Sequence, residues 1–208
     1  MTGAEIITAF EQQVDDLTEL SSTEELALLN KVYKKVMRDR PWEITKKAGT
    51  GTQSSSVAYV SLPADFAFIT QNHGYTQTTM YTDSPCVFVG TNYQPYKIVS
   101  WSDRRQYRDQ DGYAYVDIAN SRLYFTKQPA TAQSYEFDYH SVPDDLTTAT
   151  SPVFPADFHH MLAHLMATED FIMQLSDKAK SYAPENKAMA KSYMDDMTYW
   201  NARLVQLS

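Results

Sequence analysis

Cysteine is almost absent. Cys86 stands alone among 208 residues, which excludes an intrachain disulfide and a thiolate metal cluster and fits, without requiring, a reducing compartment. Glycine is scarce too. Six in the whole chain leave little material for loops that wrap phosphates, and neither GxGxxG nor the GxxxxGK motif occurs. GxSxG and HExxH are also missing. No run is long and apolar enough to span a membrane, the N-terminus carries no basic and hydrophobic signal segment, and there is no internal repeat. Positive charge is in deficit: Lys and Arg number 18 against 26 Asp and Glu, a net charge of −8. That balance predicts poor non-specific affinity for nucleic acid. Two local basic clusters remain, Lys31/Lys34/Lys35/Arg38/Arg40 and Arg104/Arg105/Arg108, the first reading as a solvated helix face.

What is present is the composition of a folded protein, 43% hydrophobic and 21% charged, long enough for one good core or for a core with a satellite. Fifteen Tyr are unusual. They suit cores and sheet faces, and equally the rigid amphipathic contacts of an interface. Nine Met add adaptable packing.

The periodicity predicts helices at both ends. Ile7, Phe10, Val14 and Leu17 mark a first helix over Ala4 to Thr18. Ser22 and Glu25 have capping-box spacing for a second, striped by Leu26, Leu29, Tyr33 and Val36 and ended by Pro41. Lys46 to Ser56, polar and holding Gly49 and Gly51, reads as a flexible connector. Strand signals follow at Val57 to Ser61, Phe66 to Thr70, Pro85 to Val89 and Tyr96 to Val99. Tyr113 to Ile118, Leu123 to Thr126 and Tyr135 to His140 then read as a meander, turned at Asp111–Gly112 and Asn120–Ser121. After a linker over Thr147 to Pro155, a third helix is expected from Ala156 to Leu175 and a fourth from Pro184 nearly to Ser208, striped by Tyr193, Met197, Trp200 and Leu204. The expected fold class is α+β: an α-helical bundle formed by N- and C-terminal helix pairs, with a β-rich domain inserted. The divisions are 1–45 for the first helix pair, 46–56 for the connector, 57–146 for the β-rich domain and 147–208 for the C-terminal helices.

Chemistry is thinly supported. His160 and His164 share a helix face, and Asp157 lies one turn before, but a fourth ligand or catalytic glutamate is missing at any recognised spacing. Packing or capping is the better reading of these and of His159. Asp144/Asp145, in a surface loop, and Asp195/Asp196, helix neighbours that do not share a face, are adjacent carboxylates better read as solvated. His140 with Asp138 and Ser141 makes no triad, because strand neighbours point to opposite faces. The stretch Trp101 to Gln110 is more suggestive. Arg104, Arg105, Tyr107 and Arg108 suit a phosphate backbone with a stacked base or an acidic protein surface met by guanidinium forks. The net charge favours the protein contact. No catalytic residue, cofactor site or metal site is assigned, and no enzymatic activity is expected.

Several stretches, in order, resemble the head–tail connector (adaptor) proteins of tailed bacteriophages, including the short-tail type called tail tubular protein A. Leu28-Leu29-Asn30-Lys31-Val32-Tyr33, then Arg38-Asp39-Arg40-Pro41-Trp42, looks like the family's second helix and the tryptophan that follows it. VAYVSLPADF from Val57 to Phe66 resembles its strand and LPxDF segment. SRLYFTKQP from Ser121 to Pro129, YEFDYHSVPDDL from Tyr135 to Leu146 and VFPADFHHML from Val153 to Leu162 are similar to later segments. The resemblance covers most of residues 20–205, and residues 70–110 depart from it most. It implies a structural subunit of a virion neck ring, made in the host cytoplasm, with twelve copies below the portal and DNA passing through without specific binding. The implied partners are other copies, the portal and a tail, stopper or nozzle protein, with no membrane. Contacts are implied for the β region, residues 46–56 and the helix ending at Ser208. The competing readings are another neck or tail-completion protein, a small metal-dependent hydrolase using His160 and His164, and a nucleic-acid-binding module using Arg104 to Arg108.

Overall fold

Ile6, Ile7, Phe10 and Val14 line one side of α1 (Gly3–Val14) and are all buried, as apolar residues repeating near 3.6 require. The computed structural model describes residues 1–14, 20–70 and 85–205. Leu17 and Thr18, read as the end of this helix, therefore lie outside the described residues. The chain divides into two compact units, one of Met1–Ile44 with Pro143–Ser208 and one of Thr45–Val142.

In the helical unit, α2 (Ser22–Asp39) buries Leu28, Leu29, Val32, Tyr33, Val36 and Met37. Its capping box sits one residue earlier than the spacing suggested. Ser21 is the N-cap, and Glu24 reaches back to it with its carboxylate accepting from the Ser21 amide at 2.8 Å. Trp42 is fully buried and donates its indole N–H to the Val36 carbonyl at 2.9 Å. The expected single helix from Ala156 to Leu175 is three pieces: a 3-10 turn at Ala156–Phe158, α3 (His160–Ala167) and α4 (Asp170–Leu175). Met161, Leu162, Ala163, Met166 and Ala167 are all buried, and α3 packs against α1, α2, α4 and α5. A helix packed against four neighbours keeps only a narrow polar edge, at His160 and His164.

The last helix, α5 (Asp177–Val205), is continuous through Pro184 rather than starting there. Its start is set by Ser176, whose Oγ accepts from the Ala179 amide at 3.0 Å, the N-cap arrangement. Its inner stripe begins with Ala179, Ala183, Asn186 and Ala190, small or polar side chains, before reaching Met197 and Asn201. Ser208 lies outside the described residues. Helices from both ends of the chain share one core, from Ile6 and Phe10 through Leu29, Trp42 and Met161 to Met197.

Among its described residues the β unit holds one eight-stranded sheet. Its strands are β1 (Lys46–Gln53), β2 (Tyr59–Ser61), β3 (Phe66–Ile69), β4 (Cys86–Val89), β5 (Gln94–Ile98), β6 (Tyr113–Asp117), β7 (Arg122–Phe125) and β8 (Gln133–Ser141). The order is β1-β8-β4-β5-β6-β7-β2, with β3 also on β8. The sheet curls into a near-barrel around Val60, Val87, Leu123, Phe125 and Phe137. The architecture is thus α+β, helices from the two chain ends flanking a β-rich domain.

Two expectations for this unit fail. The 46–56 connector contains a full strand, β1, antiparallel to β8 with Gly49 opposite Phe137 and Gly51 opposite Tyr135. The glycines make room rather than flexibility. A Cβ on Gly49 would lie 2.7 Å from the Phe137 ring, and one on Gly51 would lie 2.6 Å from the Tyr135 hydroxyl. The meander is also incomplete. β6 and β7 pair as a hairpin, but β7 goes on to β2, while β8 pairs with β1, β3 and β4.

Candidate functional site

The outer face of β6, β7 and β2 carries what their inner face excludes. Leu123 and Phe125 point into the core, so Arg122 and Tyr124 face outward by the period-two rule. Tyr115 on β6 and Tyr59 on β2 stand directly beside Tyr124, which pairs with both in register. The rings form a continuous row. Tyr115 stacks on Tyr124 at 5.1 Å with planes 4° apart, and Tyr124 meets Tyr59 at 5.3 Å. The Arg122 guanidinium lies 4.0 Å from the Tyr59 ring centre. At the other end Trp101 meets Tyr115 edge-on at 5.6 Å, and the Arg104 guanidinium sits 3.8 Å from the Trp101 ring. A cation therefore caps each end of an aromatic row, the favourable position over a π face.

The crossover between β5 and β6, the parallel pair in the described sheet, sets the arginines. Ser100 Oγ donates to the Asp103 carboxylate at 2.7 Å and accepts from its amide at 3.2 Å, starting the 3-10 turn Asp103–Arg105. The far side is tied down by Thr126, whose hydroxyl lies 2.6 Å from the Gln110 carbonyl and 2.9 Å from that of Tyr113. Asp109 and Gly112, both at positive φ, turn the chain into β6. The result is a surface groove of about 710 Å³ lined by Arg104, Arg105, Arg108, Lys127, Tyr115 and Tyr124 among others, with Asp109 its one lining carboxylate. Among the described residues the ion pairs of Arg108 and Lys127 are long, 3.7 Å to Asp109 and 3.6 Å to Asp111. Such exposed pairs hold their cations weakly.

Of the sequence candidates, the structure brings Arg104, Arg105 and Arg108 together on this groove, while the Tyr107 ring packs tilted against Tyr113 at 4.4 Å. Tyr59, Tyr115, Tyr124 and Arg122 were not singled out, although the alternation of Tyr113 and Tyr115 along β6 was visible. Three lysines of the other basic cluster are held in ion pairs. Lys31 and Lys35 reach Glu169 at 2.5 and 3.7 Å, and Lys34 reaches Asp145 at 2.6 Å.

The histidines diverge. His159 is buried, its Nε2 2.8 Å from the Phe154 carbonyl, and burial holds its imidazole below the usual value. His160 is exposed, and His164 Nδ1 lies 2.9 Å from Asn186 Oδ1. Among the described residues no three His, Cys, Asp or Glu form a metal-holding group. His140 is buried with Nδ1 3.0 Å from the Thr45 hydroxyl, and Ser141 donates to the Thr45 carbonyl. Asp195 and Asp196 are exposed on α5. No described helix is long and apolar enough to cross a membrane.

The motif residues quoted above act as structural clamps. Asn30 brackets Leu146, accepting its amide at 2.6 Å and donating to its carbonyl at 3.0 Å. Asp65 of the LPxDF segment accepts from Lys47 at 2.6 Å and from Tyr139 at 2.9 Å. Tyr33 accepts the Val153 amide at 3.2 Å and packs on Phe154. No curated protein matches the chain in sequence. A family model described as SU10 adaptor protein matches residues 1–206. The match spans nearly the whole chain: it belongs to the SU10 adaptor protein family, and its general role is that of a bacteriophage head–tail adaptor.

Proposed function

We propose that the chain is one subunit of a closed ring, twelve copies in number, that joins the portal to the next tail component and continues the DNA channel between them. The observation that carries this reading is the family match over residues 1–206. Similarity to the short-tail proteins called tail tubular protein A points the same way. The work is positional. A ring built from identical copies needs two different, complementary surfaces on each subunit, so that head-to-tail contacts close on themselves. A portal-facing surface and a tail-facing surface complete the set.

Charge is consistent with this role. The β unit has 8 Lys and Arg against 8 Asp and Glu, so the whole net charge of −8 falls on the helical unit. A negative surface beside passing DNA limits its retention. Native mass spectrometry of the neck complex released from particles is the direct test. The expected mass contains twelve chains of 23.8 kDa together with portal copies. One or two chains per portal assembly would overturn the ring.

A further inference from the structure

The groove on the β unit has a use that ring closure alone does not specify. It gathers Arg104, Arg105, Arg108 and Lys127 against one carboxylate, Asp109, around the half-buried rings of Tyr115 and Tyr124. Arg105 has no carboxylate partner among the described residues. A site with this make-up takes an acidic ligand that also carries an apolar or aromatic surface.

Polynucleotide is the poorer fit. The faces a base would stack on are occupied within the row: Tyr115 lies against Tyr124, and Arg104 covers Trp101. Protein suits the groove, and this chain offers a matching surface. The outer side of α5 carries Asp195 and Asp196, both exposed and without an ion pair among the described residues, with Tyr199 one turn on at 69% exposure. Tyr199 is three residues from Asp196 and four from Asp195, so the two carboxylates point apart but flank the same tyrosine on the helix surface. An exposed tyrosine beside unpaired carboxylates is the chemical complement of arginines set around tyrosines.

We propose that the groove is the socket for the acidic outer face of α5 from a second copy of the chain, with Arg105 and Arg108 facing Asp195 and Asp196 across the interface. The contact is heterologous: socket and knob differ, so each copy offers one of each, as a closed ring requires. This assignment rests on the ring reading and adds to it the surfaces that meet.

The test is charge reversal with rescue in assembled particles. Arg104 stays unchanged because it packs on Trp101. Arg105→Glu with Arg108→Glu, and separately Asp195→Arg with Asp196→Arg, are each expected to cut the copies incorporated per particle about tenfold, because like charges would then oppose one another across the contact. All four changes in one chain, or an equal mixture of the two reversed chains, restore incorporation. Thermal unfolding of each purified variant confirms that it folds. Loss in folded variants without rescue overturns the pairing. So does loss in the socket variant alone, which assigns the groove to another protein, and so does wild-type incorporation of both. Tight, salt-sensitive binding of a single-stranded oligonucleotide that vanishes in Arg105→Glu/Arg108→Glu also overturns it, in favour of nucleic acid. Wild-type particles that hold no ring would instead sink the ring reading itself.

Discussion

Glu25 is a carboxylate at 7% exposure on α2, and burial, reinforced by the charge of Glu11, lifts its pKa above the ordinary value. A raised carboxyl pKa means that the folded state holds the proton more tightly than the unfolded chain. The sign follows: stability is greatest below the unfolded value and is lost as pH rises through the higher folded value. Glu25 therefore weakens the fold at neutral pH, and Glu25→Gln should raise the urea midpoint at pH 7 and flatten this part of the pH dependence. A lower midpoint would mean that the carboxylate makes a stabilising contact as an anion. Apolar residues that meet the same core from different helices also differ. Leu29 is fully buried, so Leu29→Ala should cost about 2–5 kcal/mol. Leu165 is only half-buried against the same core, so Leu165→Ala should cost clearly less. Equal losses in chemical unfolding would contradict the burial assignment.

At the scale of elements, the helices were legible where large apolar residues repeat and illegible where packing relies on small ones. The α2 stripe through Leu29, Tyr33 and Val36 stood out. The first half of α5 did not, because Ala179, Ala183 and Ala190 bury as an inner face without a hydrophobic signal. Pro184, a reasonable helix start by local rules, is carried inside the helix once Ser176 caps it upstream. β1 was hidden for a related reason. Its pattern is polar and glycine-bearing, and its strand identity comes from β8, whose Tyr135 and Phe137 rings fill the space over Gly51 and Gly49. That dependence is testable. Gly49→Ala would push a methyl group against the buried Phe137 ring and should destabilise the β unit by about 1–3 kcal/mol. An unchanged unfolding midpoint would show that the ring moves aside freely. The site was half visible in the same way. Basic and aromatic residues mixed in sequence pointed to Arg104, Arg105 and Arg108. The tyrosine row beside them needs the pairing of β2, β7 and β6, and the order in which strands meet is not written in any one of them.

For the whole molecule, the central claim is that one chain with a helical unit of net charge −8 and a charge-balanced β unit works by repetition around an axis. The motif residues fit that reading because they are structural. Asn30, Asp65 and Tyr33 hold backbone or side chains in place within their own units, and none assembles a reactive group. A positional role asks for rigid subunits that present defined surfaces to several neighbours, with stability concentrated in two separate cores. The most direct measurement is symmetric cryo-electron microscopy of the native particle neck. Twelve copies of this chain are expected in a closed ring around an open channel, between the portal and the tail. A monomer bound at one site, or a small closed oligomer with no channel and no portal beside it, would contradict the ring reading.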